Sequence, residues 1–177
     1  GWLARPLLEF SRTSLRAYAL AQHLHWLDDP SNIDTRFDRN YLRHEILPRL
    51  QQRWPAANVT LARSARHCAE AAELLEVLAQ ADLHASRIAP QGEAEIARHE
   101  AGALSVSKLL ALSPARQRNV LRFWIGQAGL PLPQQRHLER VQRDVLHAAA
   151  DAEPCTHWPG ADVRRYRDAL YALPPLP

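Results

Sequence analysis

From Ala56 to about Arg87 the chain carries a single apolar seam in an alanine-rich stretch: Leu61, Ala65, Cys68, Ala72, Leu75 and Ala79, spaced 4, 3, 4, 3, 4. Only an α-helix keeps such a series on one face, so the spacing predicts one helix of roughly 30 residues. The seam is mostly alanine and runs for only about three heptads, so it reads as a linker helix packing on its own chain rather than as a coiled coil. A long helix in a chain of 177 residues points to a mostly α architecture.

The remaining signals agree with that class. Ser11 reads as a cap for a helix over Arg12–His25, with Leu15, Tyr18, Ala19 and Leu24 on one side. Asp28-Asp29-Pro30-Ser31-Asn32 is a turn by its chemistry. Asp38 is read as the cap of a second helix carrying Tyr41, Leu42, Ile46, Leu47, Leu50 and Trp54, with Pro48 expected to kink or end it. Trp54-Pro55 marks the next break, and Pro90-Gln91-Gly92 a loop. Alternation across Leu104, Val106 and Lys108 predicts a short strand. Ser113-Pro114 starts a helix bearing Leu121, Trp124, Ile125 and Ala128, which Gly129 stops. A further helix places Leu138, Val141, Val145 and Ala149 along one face. Cys155–Trp158, Val163–Tyr166 and Leu170–Leu173 read as strands, with Arg167-Asp168 as a hairpin turn. The expected fold is mostly α with a small β element towards the C-terminal end, an α+β arrangement.

Charge narrows the functional classes. The net charge is +3, but residues 106–147 alone hold six arginines, Lys108 and two acids, a local +5. A basic stretch on a helix pair suits nucleic-acid phosphates, and a solvated helical face is the competing explanation. There are 6 glycines, and no G-x-G-x-x-G, G-x-x-x-x-G-K-[ST] or S-G-G-x-D-S-like loop. Cys68 and Cys155 lack metal-type spacing, and free thiols suit a reducing cytoplasm. No histidine pair has zinc-enzyme form, and no apolar run is long enough to span a membrane.

The densest polar cluster runs from Asp29 to His44. Arg39 and Arg43 stand at i and i+4, as do Asn40 and His44. Two planar guanidiniums one turn apart fit a phosphate or a carboxylate, and Asp28 and Asp29 could grip a cation or an amine. Equally, Asp29, Ser31 and Asn32 could simply build a turn, with Arg39 and Arg43 pairing to Asp34, Asp38 or Glu45.

These residues carry a family resemblance. L-A-R-P-L-L (Leu3–Leu8), W-L-D-D-P-S-N (Trp26–Asn32), R-N-Y-L-R-H-E-I-L-P-R-L (Arg39–Leu50) and Q-R-W-P (Gln52–Pro55) together resemble bacterial tRNA(Ile)-lysidine synthetase. S-P-A-R-Q-R-N-V-L-R-F-W-I (Ser113–Ile125) and V-R-R-Y-R-D-A-L-Y (Val163–Tyr171) resemble that family's substrate-binding domain. The resemblance implies a cytoplasmic ligase, with ATP and magnesium as cofactors, that adenylates the wobble cytidine of a minor isoleucine tRNA; lysine then displaces AMP to give lysidine.

The missing phosphate loop and the absence of any methionine make this, by expectation, a central part of a longer enzyme, inactive alone. Residues 1–54 would be the trailing part of the ATP-pyrophosphatase domain, 55–89 a linker helix and 90–177 the tRNA-binding domain. The resemblance carries the catalytic motif onto Asp29, Ser31, Asn32, Arg39, Asn40, Arg43 and His44, and a cofactor contact onto Arg5. Arg39 and Arg43 would neutralise phosphate; Asp29 would order the pocket wall or attract the lysine ammonium.

For tRNA the candidates are Arg116, Arg118 and Arg122, the row Arg136, Arg140 and Arg143, and Arg164 or Arg165 of the hairpin. Leu3, Leu7, Leu8 and Leu15 would normally meet a sheet, so self-association through them is a further expectation. A non-catalytic helical RNA-binding or protein-interaction module is the alternative. A tRNA-thiolating relative ranks lower, since its cysteine pairs are absent.

Overall fold

The computed structural model describes residues 3–88, 102–149 and 152–175; the Pro90-Gln91-Gly92 loop lies outside them. The chain divides into two compact units, residues 1–63 and 64–177.

In the first unit, α1 (Arg12–Ala21) starts at Ser11, whose hydroxyl accepts from the Ser14 amide at 3.0 Å. It ends four residues before the expected His25, because His23 adopts a left-handed φ of 51° that no α-helix continues through. A 3₁₀ turn, Pro30–Ile33, follows. The second helix is composite: α2 (Asp38–Tyr41), a π-helical turn (Leu42–Ile46) and α3 (Leu47–Arg53). Phe37 rather than Asp38 occupies its cap position, and Asp38 is the first helical residue. Pro48 does not end this helix. It sits in the first turn of α3, directly after the π-helical turn, where wider i→i+5 closure accommodates a residue with no N–H. Trp54 stops α3 with extended-side dihedrals ahead of Pro55.

The helix α4 (Ala57–Ser86) spans 30 residues, as the seam predicts. The seam itself behaves differently from expectation. Of its six residues only Ala79 is buried, and burial then continues through Asp82, Leu83 and Ser86. Leu61 and Leu75 are about half exposed.

The second unit holds the core. β1 (Leu104–Ser105) leads straight into α5 (Val106–Leu110). The expected strand through Lys108 is therefore cut short: the Ser105 hydroxyl accepts from the Lys108 amide and caps a helix instead. Then come α6 (Pro114–Gln127), α7 (Gln135–Arg140) with a π-helical turn (Val141–Leu146), and the strands β2 (Cys155–Trp158), β3 (Ala161–Tyr166) and β4 (Ala169–Leu173). Leu138, Val141 and Val145 are buried as expected, but Ala149 lies beyond the helix and is exposed. The sheet is antiparallel, in the order β1-β4-β3-β2, with Thr156 opposite Val163 and Val163 opposite Ala172.

Leu109, Val120, Leu121, Trp124, Ile125, Val141 and Val145 close over the inner face of that sheet, against Val163 and Leu170. Both core tryptophans satisfy their indole N–H: Trp124 donates to the Gly102 carbonyl at 3.1 Å and Trp158 to the Pro131 carbonyl at 2.8 Å.

One glycine is required at the β2–β3 turn. Gly160 has φ 87°, and a Cβ there would stand 2.7 Å from Pro131 Cγ. Gly160→Ala combines backbone strain with a clash, so it is expected to cost roughly 1–3 kcal/mol, read as a lower urea midpoint.

Candidate functional site

The Asp29–His44 cluster folds onto itself through short-range hydrogen bonds. The Asp29 carboxylate accepts from the Ser31 amide at 2.8 Å and caps the 3₁₀ turn. The Ser31 amide, then the Ser31 hydroxyl, then the charge of Arg39 outweigh slight burial and hold this carboxyl below the usual carboxylate range. Asp29 is thus a fixed anion beside Arg39.

Asn40 is fully buried and staples the loop from beneath. Its Nδ2 donates to the Ser31 carbonyl at 2.7 Å and the Asp34 carbonyl at 2.9 Å. Its Oδ1 is buried without a partner. His44 Nε2 donates to the Asn32 carbonyl at 3.0 Å. The i, i+4 pair that the sequence offered as chemistry therefore positions the Asp29–Asn32 turn.

Two arginines of this cluster, Arg39 and Arg43, remain available. Asp34 is taken by Arg36 at 2.7 Å and Glu45 by Arg49 at 3.5 Å. Arg39 and Arg43 are exposed and make no ion pair among the described residues; Arg39 lies 5.8 Å from the Phe37 ring centroid. Arg5 is exposed in the turn that precedes α1.

In the second unit the basic residues sort into two groups. Arg116 pairs with Asp82, which is buried, and so ties α6 to α4. Arg165 donates Nη1 to the carbonyls of Val145 (3.3 Å), Leu146 (3.0 Å) and Ala148 (2.9 Å), and Nε to the Arg167 carbonyl. It thereby satisfies the open carbonyls at the end of the α7 helix. Arg164, on the opposite face of β3, holds Asp162 at 2.8 Å. Arg143 holds its neighbour Asp144 and lies in the π-helical turn that follows Arg136 and Arg140. Arg118 donates to Gln142 at 3.1 Å. Arg122, Arg136 and Arg140 are exposed with no ion pair among the described residues.

Sequence reasoning missed His137. It is buried, stacks on Trp158 at 5.5 Å, and its Nδ1 accepts from the Gln134 amide at 3.2 Å. Burial first, then Arg136 and Arg140, push its pKa below the ordinary 6.5. A depressed folded value stabilises the unit above the unfolded value, and that contribution is lost as pH falls through the folded one. The thermal midpoint should drop as pH falls below the ordinary histidine value of about 6.5, and His137→Gln should flatten that part of the profile.

The described residues contain no group of three or more His, Cys, Asp or Glu placed to hold a metal ion. No helix among them is long and apolar enough to cross a membrane.

A PP-loop domain profile matches residues 1–50, and a profile described as TilS substrate binding domain matches residues 104–171. Over nearly its whole length the chain is similar to proteins named tRNA(Ile)-lysidine synthase. Proteins of that name from Coxiella burnetii, Pseudomonas putida and Methylococcus capsulatus are 46%, 50% and 45% identical to it, over 97%, 94% and 99% of this chain. The same matches cover 35%, 37% and 38% of those relatives, so the chain spans a little over a third of their length. The two profile matches fall on the two parts of the sequence that carried the resemblance.

Proposed function

We propose that this chain supplies the active-site edge and part of the tRNA-holding surface of a cytoplasmic lysidine-forming ligase that acts on minor isoleucine tRNA with ATP and lysine. The observation that carries this reading is the match to synthases of that name across nearly the whole chain. Residues 1–54 would be the end of the catalytic domain, 55–89 the linker helix and 90–177 the tRNA-binding part.

The division of labour follows from what each side chain already does. Arg39 and Arg43, without an ion pair among the described residues, neutralise phosphate, and the exposed Arg5 is a further cofactor contact. Asp29, held ionised, orders the pocket wall or draws the lysine ammonium. Asn40 and His44 keep the turn in shape, the latter through the Asn32 carbonyl, and the Asn32 side chain remains a ligand contact of the pocket. Arg122, Arg136 and Arg140 track tRNA phosphates, with Arg118 beside them; Arg116 and Arg165 serve the fold.

The residues present would supply only part of an ATP site, its phosphate-neutralising arginines, and do not themselves fit magnesium. The sequence has no S-G-G-x-D-S-like loop, and the described residues offer no acidic cluster. No adenylation step is therefore assigned to this chain, and it should make no lysidine alone. Incorporation of labelled lysine into isoleucine tRNA by this chain by itself would overturn that. The exposed Leu3, Leu7 and Leu8 support self-association of the isolated chain, which sedimentation over a concentration series would detect.

Replacing Arg136 and Arg140 together by glutamine should weaken tRNA binding and reduce the slope of log affinity against log salt by about 1–2. An unchanged slope would make the row a solvated face.

A further inference from the structure

Where β3 turns into β4, an open pocket of about 450 Å³ is lined by Arg87, Ser105, Lys108, Tyr166, Arg167 and Asp168. None of these residues belongs to the α6–α7 rows discussed above. Arg87 stands just after α4 and bridges to Leu104 of β1, and Lys108 lies on α5. Lys108 Nζ donates to the Arg87 carbonyl at 3.5 Å, which draws the chain's one lysine to this rim.

The electrostatics favour an anion. Arg87, Lys108 and Arg167 make no ion pair among the described residues. The one acid, Asp168, is engaged from within: its carboxylate accepts from Ser105 Oγ at 2.7 Å, the Ser107 amide at 2.8 Å and Ser107 Oγ at 3.2 Å. Burial pushes this carboxyl up, but those donors and Arg165 bring it net below the usual carboxylate range, so it remains an internal anchor of the turn.

The pocket also offers an aromatic surface. Tyr166, the last residue of β3, is 51% exposed. The Arg167 guanidinium lies 5.2 Å from its ring centroid, carried there by a left-handed φ of 54°. A bare anion would have no use for an exposed ring, and an apolar ligand would desolvate three cations without compensation. A duplex presents phosphates but keeps its base faces stacked inside. An unpaired nucleotide offers both a base face and a phosphate.

We propose that this pocket takes one unpaired nucleotide of the bound RNA, its base against Tyr166 and its phosphate held by Arg87, Lys108 and Arg167. This rests on the reading that the second unit binds tRNA.

The test uses this chain with four probes: a short single-stranded RNA carrying one 2-aminopurine, a duplex of the same length, an isoleucine tRNA transcript, and AMP. Stacking should quench the 2-aminopurine. Tyr166→Leu should weaken single-strand binding about tenfold, in the range of one base–aromatic stack, while Tyr166→Phe retains it. Arg87→Ala with Lys108→Ala should weaken it too and flatten its salt dependence. Duplex binding should be unchanged in all of these.

Unchanged single-strand and tRNA affinity in these variants, while the Arg136/Arg140 pair still weakens tRNA binding, would overturn the pocket and leave the tRNA reading standing. Saturable binding of AMP that leaves RNA binding untouched would reassign the pocket to a free nucleotide and overturn the proposal. No binding of any RNA would overturn both readings.

Discussion

In a full-length synthase that carries this chain, Arg43→Ala should lower turnover roughly a hundredfold and leave the unfolding midpoint unchanged. The magnitude is that of removing one positioned donor to a charge that develops during reaction. The unchanged stability follows from the structure. Arg43 is exposed and makes no ion pair among the described residues, and two of the three acids that could have held it, Asp34 and Glu45, pair with Arg36 and Arg49. A variant with wild-type turnover would return Arg43 to the solvated surface. One that unfolds early would show a packing role that the exposed position does not explain.

Asn40 should behave in the opposite way. Asn40→Ala takes the short side-chain bond from the Ser31 and Asp34 carbonyls, which keep only the longer ones from the Asp34 and Phe37 amides at 3.3 Å, and is expected to cost about 1–3 kcal/mol. The loss should also disorder the Asp29–Asn32 turn and lower turnover with it. Asn40→Asp is the sharper test, since it keeps the shape but puts an acceptor where two carbonyls need a donor. It should be at least as damaging as alanine. If the aspartate variant matches wild type in both unfolding midpoint and turnover, the staple is not what holds the turn. Together the two variants test roles proposed for positions three residues apart: Arg43 would act on a ligand, and Asn40 on the loop that meets it.

Much of the fold was legible because it depends on local rules. The 4, 3, 4 spacing located α4, Ser113-Pro114 located the start of α6, and Arg167-Asp168 located the last hairpin turn. What was not legible depends on partners distant in sequence. Alternation through Lys108 looked like strand, yet the Ser105 hydroxyl stops it by capping α5, and Asp168, 63 residues away, then binds that same hydroxyl. The two π-helical turns carry no pattern of their own, so Pro48 read as a kink or an end of its helix, and Val141–Leu146 as regular α-helix.

At the candidate site, the sequence offered Asn40 and His44 beside Arg39 and Arg43 without distinguishing them. Burial and the carbonyls of Ser31, Asp34 and Asn32 make that distinction, and both are tertiary facts. In the same way, Arg165 looked like a ligand-facing arginine until its three helix-end carbonyls were visible.

The measurement that tests the central claim most directly is binding of this chain to the minor isoleucine tRNA, against an elongator methionine tRNA, across a salt series. The account predicts binding to the isoleucine tRNA that weakens steeply as salt rises, because the exposed arginines of α6 and α7 displace counterions from phosphates. Preference over the methionine tRNA would locate part of the discrimination in these residues; equal binding would make them a phosphate-tracking surface. Absence of binding at low salt would contradict the account, leaving the basic segment as a solvated face.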